Sequence, residues 1–150
     1  MAHYVITGGA GFIASHIAER LLNEGHAVTA LDNFITGDPA NVELLSGYPG
    51  FAFVEHDVTE PYDVPGEVDF VLHMASPASP VDFERIPFEI MAVNSVGTQR
   101  ACEFALAKGA RLLFASTSEV YGDPEVHPQP EEYRGCVNIT GPRAVYDLSL

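Results

Sequence analysis

The stretch Thr7-Gly8-Gly9-Ala10-Gly11-Phe12-Ile13-Ala14 reads as Gly9-x-Gly11-x-x-Ala14 and equally as Gly8-x-x-Gly11-x-x-Ala14. Glycines at this spacing let a backbone turn sharply and come close to a pyrophosphate. A helix starting there points its free N–H groups at the negative charge. The same residues would also serve as a plain tight turn between a strand and a helix. Asp32 lies about 20 residues further on, the separation at which a carboxylate can accept from both ribose hydroxyls of an adenosine; its other reading is a turn residue. That carboxylate repels a 2′-phosphate and no Arg adjoins it, so the indicated ligand is NAD in preference to NADP.

Three further segments carry polar chemistry. In His56-Asp57-Val58, Asp57 suits the adenine amino group or serves as a solvated loop acid. In His73-Met74-Ala75-Ser76-Pro77, small residues let a cofactor lie flat against the backbone, although a plain connection reads the same way. Ala115-Ser116-Thr117-Ser118-Glu119-Val120-Tyr121-Gly122 sets three hydroxyls beside a carboxylate. Such groups are costly to bury idle, which points to a polar substrate or a nicotinamide. Tyr146 lies further along. The six histidines show no His-x-x-x-His or similar spacing, so no metal site is expected.

The elements that must position these residues follow from periodicity. Tyr4-Val5-Ile6 is a buried strand ending in the glycines. Phe12, Ile13, Ile17, Leu21 and Leu22 then recur at helical spacing until Gly25, and a second strand runs over Ala27-Val28-Thr29-Ala30-Leu31. Asp38-Pro39 reads as an N-cap and N1 proline opening a short helix that carries Val42, Leu44 and Leu45. Strands follow at 51–54, 70–72 and 112–115, with one helix over 87–108 between the last two and a loop over 122–142. Continuously apolar strands alternating with helices predict an α/β, Rossmann-type doubly wound parallel sheet covered on both faces. The expected strand order is 3-2-1-4-5, with ligands in the crevice at the carboxyl ends where the order reverses.

The bulk properties narrow the partners. Twenty-one acidic against seven basic residues give a formal charge of −14 in 150 residues, a field that opposes nucleic acid and anionic membranes. Cys102 and Cys136 form no Cys-x-x-Cys pair, no apolar run approaches the roughly 18 residues of a membrane span, and the opening Met-Ala-His-Tyr lacks the basic start of a signal peptide. A reduced, cytoplasmic protein is therefore expected.

With these residues in hand, the sequence resembles the amino-terminal half of the extended short-chain dehydrogenase/reductase family, in particular its UDP-glucuronate decarboxylase branch. The likeness runs from Tyr4 to Asp147. Thr7-Gly-Gly-Ala-Gly-Phe-Ile and Leu31-Asp-Asn-Phe are shared with many nucleotide-sugar epimerases and dehydratases. His56-Asp-Val-Thr-Glu-Pro61, Ala75-Ser-Pro-Ala-Ser-Pro80, Ser116-Thr-Ser-Glu-Val-Tyr-Gly-Asp-Pro124, His127-Pro-Gln-Pro130 and Gly141-Pro-Arg-Ala-Val-Tyr-Asp147 are closer to the decarboxylases. The resemblance implies an NAD site made by Gly8, Gly11, Phe12, Ile13, Asp32, Asn33, Asp57, Val58, Met74, Ala75, Ser76, Asn94 and Tyr146. It implies Tyr146 as base for a sugar C4 hydroxyl, Thr117 as its hydrogen-bonding helper, and Ser118 and Glu119 facing the C5/C6 end. Related dehydratases carry an acid at the position of Ser118, and a serine cannot expel water in that way, which favours decarboxylation. A nucleotide-sugar substrate such as UDP-glucuronate and a homodimer are likewise implied.

Two departures from the family pattern stand out. The family continues Tyr-x-x-x-Lys, but Leu150 occupies the lysine position. A tyrosine near its reference pKa of ~10 is only about 0.1% phenolate at pH 7. The 150 residues are also expected to form an incomplete NAD-binding domain that lacks the last strands and the substrate domain. Two other readings stay open: a non-catalytic NAD-binding module, and a 4-epimerase or dehydratase of the same family.

Overall fold

The computed structural model describes residues 1–150. Five strands, β1 (His3–Thr7), β2 (Ala27–Asp32), β3 (Phe51–Glu55), β4 (Phe70–His73) and β5 (Arg111–Phe114), pair in parallel in the order β3-β2-β1-β4-β5. The register sets Tyr4 beside both Val28 and Phe70. Because successive strand residues point to opposite faces, Val5 and Val71 pack with Leu31, Phe104 and Ala105 on one side. Ile6 and Val28 pack with Ala14, Ala18, Leu22 and Leu45 on the other. The doubly wound sheet and its strand order are as the sequence predicts.

The helices depart from expectation in informative ways. Helix α1 (Phe12–Asn23) turns Ala14, Ala18 and Leu22 to the sheet and leaves Phe12 76% and Ile13 62% exposed. Residues four apart share a face, and alanines on that face let the helix lie close to the strands, so the bulky pair at its start points outward. In α2 (Pro39–Leu45) the Asp38 carboxylate accepts from the Ala40 N–H at 2.9 Å, the N-cap read from the sequence. There Leu45 is buried and Leu44 exposed.

The single helix expected over 87–108 is divided. Helix α4 (Pro87–Ala92) runs through a π-turn (Val93–Gly97) into α5 (Thr98–Lys108), which ends at Gly109 in the left-handed region with φ 65°. A further helix that the periodicity does not predict, α3 (Pro80–Arg85), has Pro80 at its first turn. Strand β5 is an edge strand, and its Leu112 and Leu113 are exposed rather than covered. The cover expected on both faces holds for the inner strands only. A short helix, α6 (Ala144–Asp147), packs against α4. No helix is long and apolar enough to cross a membrane.

Candidate functional site

At the carboxyl ends of β1 to β4, where the strand order reverses, lies a cleft of about 400 Å³. Its walls include nine of the residues singled out in the sequence: Gly8, Gly11, Asp32, Asn33, Asp57, Val58, Met74, Ala75 and Ser76. The glycine loop after β1 is closed by Gly11 N–H donating to the Gly8 carbonyl at 2.9 Å, and is tied to β2 by Gly9 N–H donating to the Leu31 carbonyl at 3.0 Å. Asp32, 9% exposed, accepts from the Ala10 N–H at 3.0 Å and from the Phe34 N–H at 2.8 Å. Its turn role and its place on the cleft wall therefore coexist, because each carboxylate oxygen retains a further lone pair.

Beyond β3, Asp57 Oδ1 accepts from the Thr59 N–H and hydroxyl at 2.9 and 2.8 Å, and its Oδ2 accepts from the Asn33 amide at 3.3 Å. Burial raises its pKa, but the Thr59 and Asn33 hydrogen bonds and the His56 charge outweigh this and hold the carboxyl below its usual range. No Lys or Arg lines the cleft. The Ser76 hydroxyl is buried with no protein partner, a polar atom left for whatever fills the space. The fixed Asp32 and Asp57 carboxylates, with no cation beside them, suit a ribose diol and disfavour an added phosphate next to it.

A support beneath this wall was not legible in the sequence. Thr7 Oγ1 accepts from the Met74 N–H at 3.2 Å and the Ala75 N–H at 3.4 Å, and shares a 2.7 Å hydrogen bond with His73 Nδ1. Both residues are buried. The available signal was a polar residue at the end of each of two apolar strands. Burial pushes the His73 imidazole down to about 4, against about 6.5 in an unfolded chain. Between these values the unfolded chain takes up a proton that the native one refuses. Stability is thus full above pH 6.5 and declines as pH falls toward 4, by about 3 kcal/mol in total. Urea unfolding at pH 7, 5.5 and 4.5 is expected to show this decline, and His73→Gln to remove that share of it. An unchanged pH dependence in the variant would refute the assignment.

The second cluster gathers beyond β5. Thr117 caps a 3₁₀ turn (Ser118–Tyr121), its hydroxyl accepting from the Glu119 N–H at 3.3 Å. Glu119 is ion-paired with Arg143 Nη2, and Arg143 Nε lies 3.8 Å from Asp147. Tyr146, on α6, is 6% exposed and stacks on Phe83 at 4.8 Å and 18°. Ile90 and Leu150 belong to the same apolar cluster. Burial pushes the Tyr146 phenol above its usual value of 10, and the Thr117 side chain opposes this. Thr117, Glu119 and Tyr146 are therefore assembled, with Ser118 exposed beside them. Arg143 and Asp147, absent from the sequence-derived set, complete the charge pattern.

The remaining sequence-derived residues flank these two groups. The side chains of Phe12 and Ile13 stand exposed at the start of α1, directly after Gly11 on the cleft wall. Asn94, 3% exposed within the π-turn, donates to the Ser149 hydroxyl at 3.0 Å, while its Oδ1 is buried without a partner. Its side chain is thus tied toward the end of α6.

Residues 4–149 match the model of the NAD dependent epimerase/dehydratase family. The chain is 53% identical over 143 residues to UDP-glucuronic acid decarboxylase 1 of Xenopus tropicalis, which covers 95% of this chain and 34% of that protein. It is 46% identical over 144 residues to UDP-glucuronic acid decarboxylase 3 of Arabidopsis thaliana, 95% of this chain and 42% of that one. Among solved structures, a UDP-glucose-4-epimerase from Stenotrophomonas maltophila with bound NAD superposes with a TM-score of 0.80 at 27% identity, covering 99% of this chain and 45% of that one. UDP-glucose 4-epimerase from Bifidobacterium longum in complex with NAD+ and UDP gives the same score, identity and coverage. The chain thus spans less than half the length of these relatives. Family match, strand order and the site at the switch point agree, and the chain belongs to the NAD dependent epimerase/dehydratase family.

Proposed function

We propose that this chain provides the cofactor half of an NAD-dependent decarboxylase that converts UDP-glucuronate to UDP-xylose. The observation that carries the reading is the assembly of Thr117, Glu119 and Tyr146 from two distant segments beside a cleft suited to a dinucleotide. The identities of 53% and 46% to proteins named as UDP-glucuronic acid decarboxylases support the substrate. NAD, when bound, supplies a reversible hydride acceptor for the sugar C4.

The N-terminus of α1, where the Phe12 and Ile13 N–H groups have no partner within the helix, holds the pyrophosphate, and Asp32 takes the adenosine ribose, excluding a 2′-phosphate by its charge. Tyr146 removes the C4 hydroxyl proton, with Thr117 fixing the phenol. The C4 ketone then stands β to the C6 carboxylate, so the C5–C6 bond breaks, CO2 departs and the electron pair forms an enolate. Protonation at C5 beside Glu119, followed by return of the hydride to C4 and of the Tyr146 proton to the C4 oxygen, leaves UDP-xylose with no net oxidation. A reduced, cytoplasmic setting and a homodimer form part of this proposal.

Incubating the complete protein with UDP-glucuronate and a trace of NAD+ is expected to yield UDP-xylose and CO2 in equal amounts. An inverted C4 with the carboxylate retained would instead identify a 4-epimerase. NAD+ binding without any product would favour a binding module, a reading that the apolar packing of Leu150 beside Tyr146 supports.

A further inference from the structure

A carboxylate on the sugar needs a counter-charge, since an anion removed from water without one pays a large desolvation cost. The cleft itself offers none. Of the seven cationic residues, Arg20, Arg85, Arg100 and Lys108 are committed to Glu24, Asp82, Glu103 and Asp63, while Arg111, at the start of β5, and the exposed Arg134 form no ion pair. Arg143 alone has its ion-pair partner inside the Thr117–Tyr146 cluster.

The setting of Arg143 is that of a carboxylate receptor already holding a carboxylate. Glu119 fills one end of its guanidinium, Asp147 lies 3.8 Å from Nε, and Cζ stands over the Phe83 ring, 5.9 Å from its centroid. The pair is open to an incoming group, with Arg143 47% and Glu119 37% exposed. A planar guanidinium accepts a carboxylate through two parallel hydrogen bonds.

We propose that Arg143 recognises the carboxylate of the sugar, and that Glu119 occupies its guanidinium until a carboxylated sugar displaces it. The inference rests on the decarboxylase reading above and gives it a specificity device. A uronate can take over the fork and release Glu119 to the reaction, whereas a neutral hexose cannot.

The test is calorimetric and independent of turnover. The complete protein, loaded with NAD+, is titrated with UDP-glucuronate and with UDP-glucose. Arg143→Gln is expected to weaken UDP-glucuronate by roughly tenfold to a hundredfold and to leave UDP-glucose within about twofold. Arg143→Lys, which keeps the charge but loses the fork, falls between. Glu119→Gln is expected to tighten UDP-glucuronate, because the internal competitor has lost its charge.

Equal losses for both ligands in Arg143→Gln, or weakened UDP-glucuronate binding in Glu119→Gln, would overturn the proposal and leave Arg143 as a residue that merely positions Glu119. A wild-type protein that binds the two ligands equally would likewise overturn the proposal, whereas failure of the complete protein to release CO2 from UDP-glucuronate would remove the decarboxylase reading itself, and the inference with it.

Discussion

Replacing Tyr146 by Phe is expected to lower kcat by about a thousandfold, within the range general acid–base groups contribute, while NAD+ affinity stays within about threefold. The substitution is well controlled because the ring that stacks on Phe83 at 4.8 Å is retained and only the hydroxyl is lost. Thermal unfolding should therefore move little. The wild-type rate carries a second signature. Burial holds the phenol above 10, so the base form is scarce at neutral pH and the rate should climb about tenfold per pH unit from 7 toward 10. Initial rates across that range, compared with Tyr146→Phe, check both statements; a variant retaining more than a tenth of the activity would exclude the phenol from the chemistry.

Gly8→Ala is expected to abolish measurable NAD+ binding, a loss of at least about a hundredfold, and to cost about 2–4 kcal/mol of stability. Gly8 sits at φ 70°, and a Cβ there would lie 2.8 Å from Ala75 Cα, 2.9 Å from its N and 2.9 Å from the Met74 carbonyl oxygen. These are backbone atoms held in turn by Thr7, so they cannot yield cheaply. Gly109→Ala separates strain from crowding: its φ is 65°, yet nothing lies within 4 Å of the added carbon. That variant should lose about 1 kcal/mol and bind NAD+ normally. Urea unfolding and NAD+ calorimetry on the pair decide the matter, and an intact cofactor site in Gly8→Ala would contradict it.

Much of the architecture is a local property of the sequence. Alternating apolar strands and helices specify the parallel sheet and its order. The glycine spacing places the turn after β1, the distance to Asp32 puts a carboxylate at the end of β2, and Asp38-Pro39 starts α2. Each rests on backbone geometry, strand or helix period, or a cap within a few residues, all of which act before any distant contact forms.

Other features required the folded neighbours. Phe12 and Ile13 look like core residues by composition, but the phase of α1 against the sheet is set by Ala14 and Ala18, and they face outward. Leu112 and Leu113 read as a buried strand yet lie exposed, because burial depends on β5 standing at the edge. The π-turn that divides 87–108 leaves no period for a helical pattern to reveal. The sequence by itself determined the sheet, the glycine loop and the acidic residue that faces it. Only the tertiary structure decided that His73 is held neutral against Thr7, that Arg143 engages Glu119, and that Tyr146 is buried under Phe83. The physical reason is that charge state, ion pairing and desolvation belong to pairs of side chains brought together across the fold, and neither member of such a pair carries them alone.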